Sequence, residues 1–346
     1  MPGQDVGRAL VEFLRELLGA PALDLAAPPT RLSGGFDTSI YAIRLRDAPA
    51  LFAAPLVLRI MAPHGDPGPR VLRERAIQNA VASQGYPAPQ VLAATTDPVP
   101  LGAPFLLMER LPGRVLVDAQ RVGMAGVLVD AQLRLHALKA GPLFAALDQE
   151  PGSGGHATVE LESYLRSLEY RAARAKLDGL KPVLSWLRSH RPSPGPLVIC
   201  HGDFHPRNLL VAAGRLTGVV DWPNTIVADA EFDVASTLNI LRFVPADLAA
   251  PSKATRVLAA VARPILVARY LRGYRRRRRR RLDPDRLAYY EVATAMRALV
   301  QTGEARVGRG RALGALERSD YATRLAARAQ QLTGVAVALP VASPEP

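Results

Sequence analysis

The residues best suited to chemistry lie in one short window, residues 201–224. It reads "HGDFHPRNLLVAAGRLTGVVDWPN" and contains two histidines, Asp203, Asn208 and Asp221. A metal-bound hydrolase, a phosphoryl-transfer loop and an ordinary polar turn would each account for some of these groups. The hydrolase is disfavoured because the glutamate of an H-E-x-x-H motif is missing, and Pro206 argues against a helix that carries both histidines.

His201, Asp203 and Asn208 form the pattern H-x-D-x-x-x-x-N, which is the spacing of a kinase catalytic loop. In such a loop the aspartate accepts the proton of the attacking hydroxyl, and the asparagine amide oxygen faces a metal on the nucleotide phosphates. Both groups must converge on one point from a single rigid loop. We therefore expect Asp203 to be the catalytic base and Asn208 to be a metal ligand, with His201 bracing the loop. The sequence indicates no role for His205.

Asp221 follows Asn208 by thirteen residues and is preceded by the apolar run 216–220. The pattern predicts a hairpin with a turn at Ala213-Gly214, which would return Asp221 to the side of Asn208. A carboxylate in that place can hold Mg²⁺ against phosphate oxygens. Asp221 is therefore the second expected metal ligand.

The elements around this window change in character along the chain. Helical periodicity predicts an N-terminal amphipathic helix over 4–19. Three strand-like runs follow, "RLSGGFDTSIYAIRL", "APLVLRIM" and "PFLLMERLPG", with a helix ending at Gly85 between the last two. From about residue 118 the chain is mostly helical. A strand-rich part and a helical part joined by a connector favour two lobes with a ligand between them.

The motifs "HGDFHPRNLL", "GVVDW" and "ADAEFDVAS" resemble the aminoglycoside phosphotransferase and choline kinase family, small-molecule kinases with a protein-kinase-like fold. The resemblance spans roughly residues 30–300. It implies an α+β, two-lobed fold with a small strand-rich N-terminal lobe and a larger helical C-terminal lobe. We expect a nucleotide-binding lobe over 1–108, a connector over 109–113, a catalytic and substrate lobe over 114–335, and a disordered tail over 336–346. Asp229 and Asp233 are expected to brace a helix start and a loop.

A Gly-containing turn, "SGGFDTS", precedes the strand and helix of the first lobe. Gly34 and Gly35 would let backbone N–H groups approach phosphates, and Ser33 or Ser39 could add a hydroxyl. A plain hairpin turn explains the same residues equally well. The order of motifs along the chain favours the phosphate-binding interpretation.

The family resemblance implies four further residues of the nucleotide site. Arg59 in "LVLRI" stands where a lysine is usual and would contact the phosphates. Glu74, the only carboxylate of its helix, would pair with Arg59, although an intrahelical pair with a neighbouring arginine is an alternative. Backbone groups of Glu109 and Leu111 would pair with the edge of the nucleotide base.

The formal net charge of +13 invites a nucleic-acid or membrane interpretation. Seven of the 44 basic residues form one run, Arg275–Arg281, and without it 37 basic residues face 31 acidic ones, a balance of +6. We favour a solvated connection between two helices over contact with nucleic acid or an anionic surface. No signal peptide or membrane-spanning run is found, and the single cysteine, Cys200, excludes an internal disulfide, so a cytoplasmic location is expected.

These features together predict an ATP- or GTP-dependent, Mg²⁺-assisted O-phosphotransferase that acts on a hydroxylated small molecule. The acceptor would be a metabolite or an aminoglycoside- or macrolide-like antibiotic, in which case the protein would confer antibiotic resistance. Acidic residues that could bind a cationic acceptor are interleaved with basic ones, so no acidic pocket is evident; they are Glu160, Glu162, Glu169 and Asp178. The alternative is a nucleotide-binding regulatory protein with weak or no kinase activity.

Overall fold

The computed structural model describes residues 3–32, 38–62, 67–119, 123–245, 253–278, 281–317 and 319–340. Strands dominate the N-terminal part of the chain and helices the C-terminal part. The predicted α+β, two-lobed architecture is therefore confirmed.

The small lobe contains seven strands and two helices among the described residues. The strands are β1 (Asp24–Leu25), β2 (Thr30–Arg31), β3 (Thr38–Ile43), β4 (Leu45–Arg46), β5 (Leu56–Met61), β6 (Val91–Thr95) and β7 (Phe105–Glu109). The helices are α1 (Gly3–Leu18), as the periodicity of 4–19 predicted, and α2 (Pro67–Ala82). One turn of 3-10 helix spans Ala50–Phe52.

The main sheet of the small lobe has the order β2-β3-β5-β7-β6, with every pair antiparallel. Because side chains alternate across a strand, its two faces bury different sets of residues. One face packs Leu58 and Leu107 with Leu10 and Leu14 of α1. The other face carries Arg59 and points toward α2, so the strand register decides which side chains can face the cleft.

The large lobe contains most of the helices. They are α3 (Leu116–Ala119), α4 (Met124–His136), α5 (Ala140–Gln149), α6 (Leu161–Arg174), α7 (Lys181–Ser189), α8 (Ala230–Phe243), α9 (Lys253–Arg277), α10 (Pro284–Arg306) and α11 (Tyr321–Thr333). Its strands are β8 (Arg114–Val115), β9 (Leu197–Cys200), β10 (Leu209–Ala212), β11 (Arg215–Val219) and β12 (Ile226–Asp229). Short 3-10 turns span His156–Val159, Asp178–Leu180 and Gly314–Leu316.

The arginine run lies at a helix junction, as predicted. Helix α9 ends at Arg277, and α10 begins at Pro284, where the Asp283 carboxylate caps the first turn. The run is not uniformly solvated, however, because Arg278 pairs with the buried Glu231 at 2.7 Å. Arg277 and Asp130 form an exposed pair at 2.9 Å. Arg279 and Arg280 lie outside the described residues.

Two features differ from the expectations. Strand β6 was not predicted, because "VLAAT" has few β-branched residues. It forms a strand by pairing with β7. The tail was predicted to be disordered from residue 336, but the Ala338 N–H donates to the Gly179 carbonyl at 3.1 Å and Arg306 donates to the Pro340 carbonyl. Residues 336–340 are therefore packed against the large lobe, and 341–346 lie outside the described residues.

Candidate active site

The loop that carries Asp203 runs from the end of β9 at Cys200 to the start of β10 at Leu209. Gly202 begins the loop with a φ of +74°, which side chains other than glycine rarely adopt. A Cβ at this position would also collide with the Asn224 carbonyl oxygen. The glycine of the H-G-D motif is therefore required by the close approach of two backbone segments.

Helix α8 holds this loop in place from behind. The Gly202 N–H donates to Asp233 Oδ1 at 2.8 Å, and the hydroxyls of Ser236 and Thr237 donate to the carbonyls of Gly202 and Phe204. Asp233 has no exposed surface, and burial of a carboxylate is tolerated only when hydrogen bonds satisfy it. Asp233 thus lies where a loop-bracing acid was expected.

Asp233 is in turn held by α4, through His136 Nε2 at 3.1 Å and Gln132 Nε2 at 3.0 Å. The histidine of "LRLHAL" therefore acts on the loop through Asp233. Asp229 differs from the expectation, because its side chain makes no cap hydrogen bond to α8. It accepts instead from the Tyr290 hydroxyl at 2.6 Å and from Arg286 at 3.0 Å, which fastens α10 to β12.

His201 is fully buried and braces the loop. Its Nε2 lies 3.1 Å from the Val220 carbonyl oxygen, and its Nδ1 accepts from the Asp203 N–H at 3.3 Å. This pattern places the single proton of the neutral ring on Nε2. Burial lowers the pKa of His201, against the charges of nearby aspartates, so the neutral form fits the site.

The predicted hairpin brings the two expected metal ligands together. Strands β10 and β11 pair around a turn at Ala213 and Gly214, both of which have positive φ. The Val220 N–H then donates to the Asn208 carbonyl at 2.9 Å, so Asp221 follows directly beside Asn208. Asp221 itself has a φ of +71°, a strained conformation for a residue with a side chain.

Asp203 is approached by three polar side chains. Asn208 Nδ2 donates to its carbonyl oxygen at 2.9 Å and lies 3.4 Å from its Oδ2. His205 Nε2 lies 3.7 Å from Oδ2, and Arg297 Nη2 lies 3.6 Å from Oδ1. His205 and Arg297 were not assigned roles from the sequence. His205 stood inside the quoted window, whereas no local pattern connects Arg297 with Asp203.

These neighbours set the charge of Asp203. Burial raises the pKa of its carboxyl, but the contact with His205 and the positive charge of Arg297 outweigh burial, so the pKa lies well below its usual value. The carboxylate is therefore ionised at neutral pH and can accept a hydrogen bond from a hydroxyl. A carboxylate of such low basicity is suited to orienting the hydroxyl, with proton transfer late in the reaction.

Arg59 connects the two lobes. Its Nη1 is 2.5 Å from Glu74 Oε1 on α2, and its Nη2 is 3.3 Å from Asp221 Oδ1. The intrahelical alternative was a pair of Glu74 with Arg70 or Arg73, and Arg73 donates instead to the Pro223 carbonyl at 3.1 Å. Burial raises the pKa of Glu74, and Arg59 is the main opposing charge. Glu74 Oε2 is buried and has no hydrogen-bond partner among the described residues.

Three members of the expected phosphate turn, Ser33, Gly34 and Gly35, lie outside the described residues. Ser39 is described, and it pairs with Ile60 in the register of β3 and β5. Its side chain consequently lies on the face of the sheet opposite that of Arg59. Thr38 lies on the Arg59 face instead, and its buried hydroxyl has no partner in the described part of the chain. Among the described residues, Thr38 is therefore better placed than Ser39.

The connector follows β7 and is fastened to the large lobe. The N–H of Glu109 donates to the Gln90 carbonyl at 2.9 Å, so that group is already occupied. The N–H of Leu111 makes no hydrogen bond within the described ranges and remains open to a ligand. Leu111 also packs on Gly218, where a Cβ would collide with its side chain. Leu111 therefore retains a free donor, and the predicted contact of Glu109 is left to its carbonyl oxygen.

The donor set of the site fits Mg²⁺ bound through phosphate oxygens. Within the described ranges, no three His, Cys, Asp or Glu side chains cluster closely enough to hold a metal by themselves. Asn208 donates its amide N–H to Asp203, which leaves the amide oxygen available, and the Asp221 side chain is 41% exposed. Mg²⁺ commonly takes one or two protein oxygens and completes its shell with phosphates and water.

Comparison with known proteins identifies the family. The model of the phosphotransferase enzyme family, APH, matches residues 29–290, which is more than half of the chain. This chain belongs to that family. The family resemblance predicted from the catalytic window is therefore confirmed.

Three relatives illustrate the match. An aminoglycoside 3'-phosphotransferase of Streptomyces fradiae is 26% identical over 220 residues, covering 60% of this chain and 72% of that protein. Mouse acyl-CoA dehydrogenase family member 10 is 27% identical over 241 residues, covering 66% of this chain and 21% of that protein. This chain therefore matches only about a fifth of the length of that relative. A thermostable mutant of aminoglycoside phosphotransferase APH(4)-Ia, solved with ADP and hygromycin B, superposes with a TM-score of 0.54 at 16% identity, covering 94% and 98% of the two chains.

None of the described helices is long and apolar enough to cross a bilayer. This agrees with the sequence, in which arginines interrupt the most apolar stretch.

Proposed function

We propose that this protein transfers the γ-phosphoryl group of ATP or GTP, with Mg²⁺, to a hydroxyl group of a small molecule. The observation that carries the proposal is the convergence of three groups on one hairpin. Asp203, Asn208 and Asp221 lie on a loop and strand joined by the Val220-to-Asn208 hydrogen bond. Family membership supports the phosphotransferase class independently.

In this proposal Asp203 accepts a hydrogen bond from the acceptor hydroxyl and orients its oxygen toward the γ-phosphorus atom. It takes the proton as the new bond to phosphorus forms and the bond from the γ-phosphorus atom to the leaving ADP or GDP breaks. Asn208 and Asp221 would hold Mg²⁺, which neutralises charge on the phosphates when it is bound. Arg59, aligned by Glu74, would contact the phosphates from the small lobe. Leu111 would donate its N–H to the base edge of the nucleotide.

The acceptor class is part of the proposal and has two sources of support. Relatives named as aminoglycoside phosphotransferases favour a hydroxylated antibiotic. A relative named for acyl-CoA chemistry favours a hydroxylated metabolite, such as a hydroxyacyl thioester of coenzyme A. A panel of acceptors should therefore include hygromycin B, a macrolide and 3-hydroxybutyryl-coenzyme A.

The test is transfer of labelled γ-phosphate from ATP or GTP to members of that panel by the purified full chain with Mg²⁺. Asp203→Asn should lower the rate of transfer by about 10²- to 10⁴-fold. Asp130→Asn is the matched control, since Asp130 is an exposed carboxylate on the same lobe and should leave transfer unchanged. Transfer by Asp203→Asn at close to the wild-type rate would contradict the assignment of the base.

A regulatory role without catalysis is the second candidate, and one observation favours it. Arg59 occupies the place of the usual lysine and is already engaged with Glu74 and Asp221, so its guanidinium has a different geometry at the phosphates. That role predicts Mg²⁺-nucleotide binding with no transfer to any acceptor. Calorimetry with ATP beside the transfer assay separates the two functions.

A further inference from the structure

Arg297, on α10, is a positive charge beside the proposed base, and it has no contact with the acceptor in the transfer proposed above. Its Nη2 lies 3.6 Å from Asp203 Oδ1, and its side chain is 22% exposed. A separation of 3.6 Å is too long for a hydrogen bond. The guanidinium is therefore close to the reacting position without being bound to Asp203.

The donors of Arg297 are not used elsewhere. Among the described residues, it donates no hydrogen bond, and Asp203 is its one ion-pair partner. Other arginines of the large lobe differ in this respect, since Arg171 contacts Glu304 at 2.6 Å and Arg188 contacts Glu169 at 2.6 Å. A guanidinium has five N–H donors in a planar fork that suits two oxygen atoms of one anion.

The geometry of Asp203 indicates where an acceptor would lie. Its Oδ2 is approached by Asn208 and His205, whereas its Oδ1 faces Arg297. A hydroxyl bound at Oδ1 would place the atoms next to it within reach of the guanidinium. Substituents close to the reacting hydroxyl would therefore meet a positive charge.

Two tyrosines complete this side of the site. Tyr164 of α6 donates its hydroxyl to the Ala293 carbonyl at 3.0 Å, one turn before Arg297. Burial raises the pKa of Tyr164 and of Tyr321 to about 12, and the charge of Arg297 opposes the shift in both. Both tyrosines are thus neutral at physiological pH, and they add no negative charge.

The acidic residues suggested for a cationic acceptor are largely occupied. Glu162 contacts Arg188 at 2.7 Å and Arg191 at 2.9 Å, and Asp178 contacts Lys181 at 2.7 Å. Glu169 is held by Arg188 as well. These three carboxylates already have basic partners, so they are poorly placed to bind a cationic acceptor.

We infer that Arg297 is a specificity-determining residue that binds an anionic group, a carboxylate or a phosphate, close to the reacting hydroxyl of the acceptor. This inference rests on the proposed phosphotransfer to a small alcohol and narrows its acceptor to alcohols that carry an oxyanion. A bidentate contact from an arginine to such a group changes affinity by about 10- to 100-fold.

The test compares alcohols that differ in charge near the hydroxyl. The pairs are 3-hydroxybutyrate with 1,3-butanediol and glycerol 3-phosphate with glycerol, and choline and hygromycin B are the cationic acceptors. The full chain with ATP and Mg²⁺ is assayed as wild type, Arg297→Gln and Arg297→Lys. Arg191→Gln removes an exposed charge from the same lobe and is the matched control.

We expect the wild type to prefer the anionic member of at least one pair, and the preferred pair distinguishes a carboxylate from a phosphate. Arg297→Gln should raise KM for that anion about 10- to 100-fold more than for its neutral partner, and Arg297→Lys should restore part of the loss. Arg191→Gln should behave as wild type. Equal loss of kcat in Arg297→Gln for every acceptor, with KM unchanged, would overturn the inference and leave Arg297 acting only on Asp203. A wild-type preference for choline or hygromycin B would also overturn it.

Failure of the proposed function gives a different result. If the wild type transfers phosphate to no acceptor, equilibrium binding of 3-hydroxybutyrate and glycerol 3-phosphate still tests Arg297. Tighter binding of either anion than of its neutral partner, lost in Arg297→Gln, would support the inference while the transfer function fails. No preference for either anion in the wild type would overturn it.

Discussion

Replacement of Arg59 by alanine tests the buried ion pair that joins β5 to α2. The Glu74 side chain is 1% exposed, and Arg59 is its main opposing charge. Without Arg59, the carboxyl must either ionise in a dry site or keep a proton. Keeping a proton on a carboxyl whose ordinary pKa is 4.5 costs about 1.4 kcal/mol per pH unit, or about 4 kcal/mol at pH 7.5. This agrees with the loss of about 3–5 kcal/mol that follows removal of one partner from a buried pair.

The sign of the pH dependence follows from the same residue. In Arg59→Ala the folded-state pKa of Glu74 rises further above its unfolded value. A raised carboxyl pKa means that stability is lost as pH rises from the unfolded pKa toward the folded one. We therefore expect a deficit in the free energy of unfolding of about 3–4 kcal/mol at pH 7.5 and of only about 1–2 kcal/mol at pH 5.5.

Denaturant unfolding of wild type, Arg59→Ala and Arg59→Ala/Glu74→Gln at both pH values measures this difference. The double variant should recover most of the loss, because it removes the buried carboxyl. Arg46→Ala is the matched control, since Arg46 and Asp24 form an exposed pair in the same lobe and should contribute little. A deficit in Arg59→Ala that is independent of pH, or is not recovered in the double variant, would refute this reasoning.

Three further outcomes are expected. Asp203→Asn should lower kcat by about 10²- to 10⁴-fold with nucleotide affinity nearly intact, whereas Asp221→Asn should weaken Mg²⁺-nucleotide binding. Equal loss of nucleotide binding in both variants, measured by calorimetry, would mean that the two roles are misassigned. His205→Ala should raise the pKa of Asp203, so the acidic limb of the pH–rate profile should move to higher pH; an unmoved limb would exclude this coupling. Arg275→Gln/Arg276→Gln should leave kcat and KM close to wild type and should weaken any salt-dependent binding to DNA or anionic vesicles. A large fall in kcat/KM would instead place these arginines at the acceptor entrance.

The core of the candidate site could be predicted from the sequence because its parts are close along the chain. Asp203 and Asn208 share one loop, and a short hairpin returns Asp221 to them. Turn chemistry and strand alternation fix such local distances, since few backbone conformations connect neighbouring elements. The pairing of Arg59 with Glu74 was also predictable, because the family resemblance supplied the order of strand and helix.

Only the tertiary structure decided which side chains share a face or meet across the fold. A shift of one residue in β3 moves a side chain to the other face of the sheet, which is why Thr38, and not Ser39, lies on the side of Arg59. Arg297 comes 94 residues after Asp203, and its place beside that carboxylate depends on how α10 packs in the large lobe. Sequence by itself determined the local geometry of the catalytic loop and the class of chemistry. The charges around Asp203 were decided by contacts between distant segments, which no local periodicity encodes.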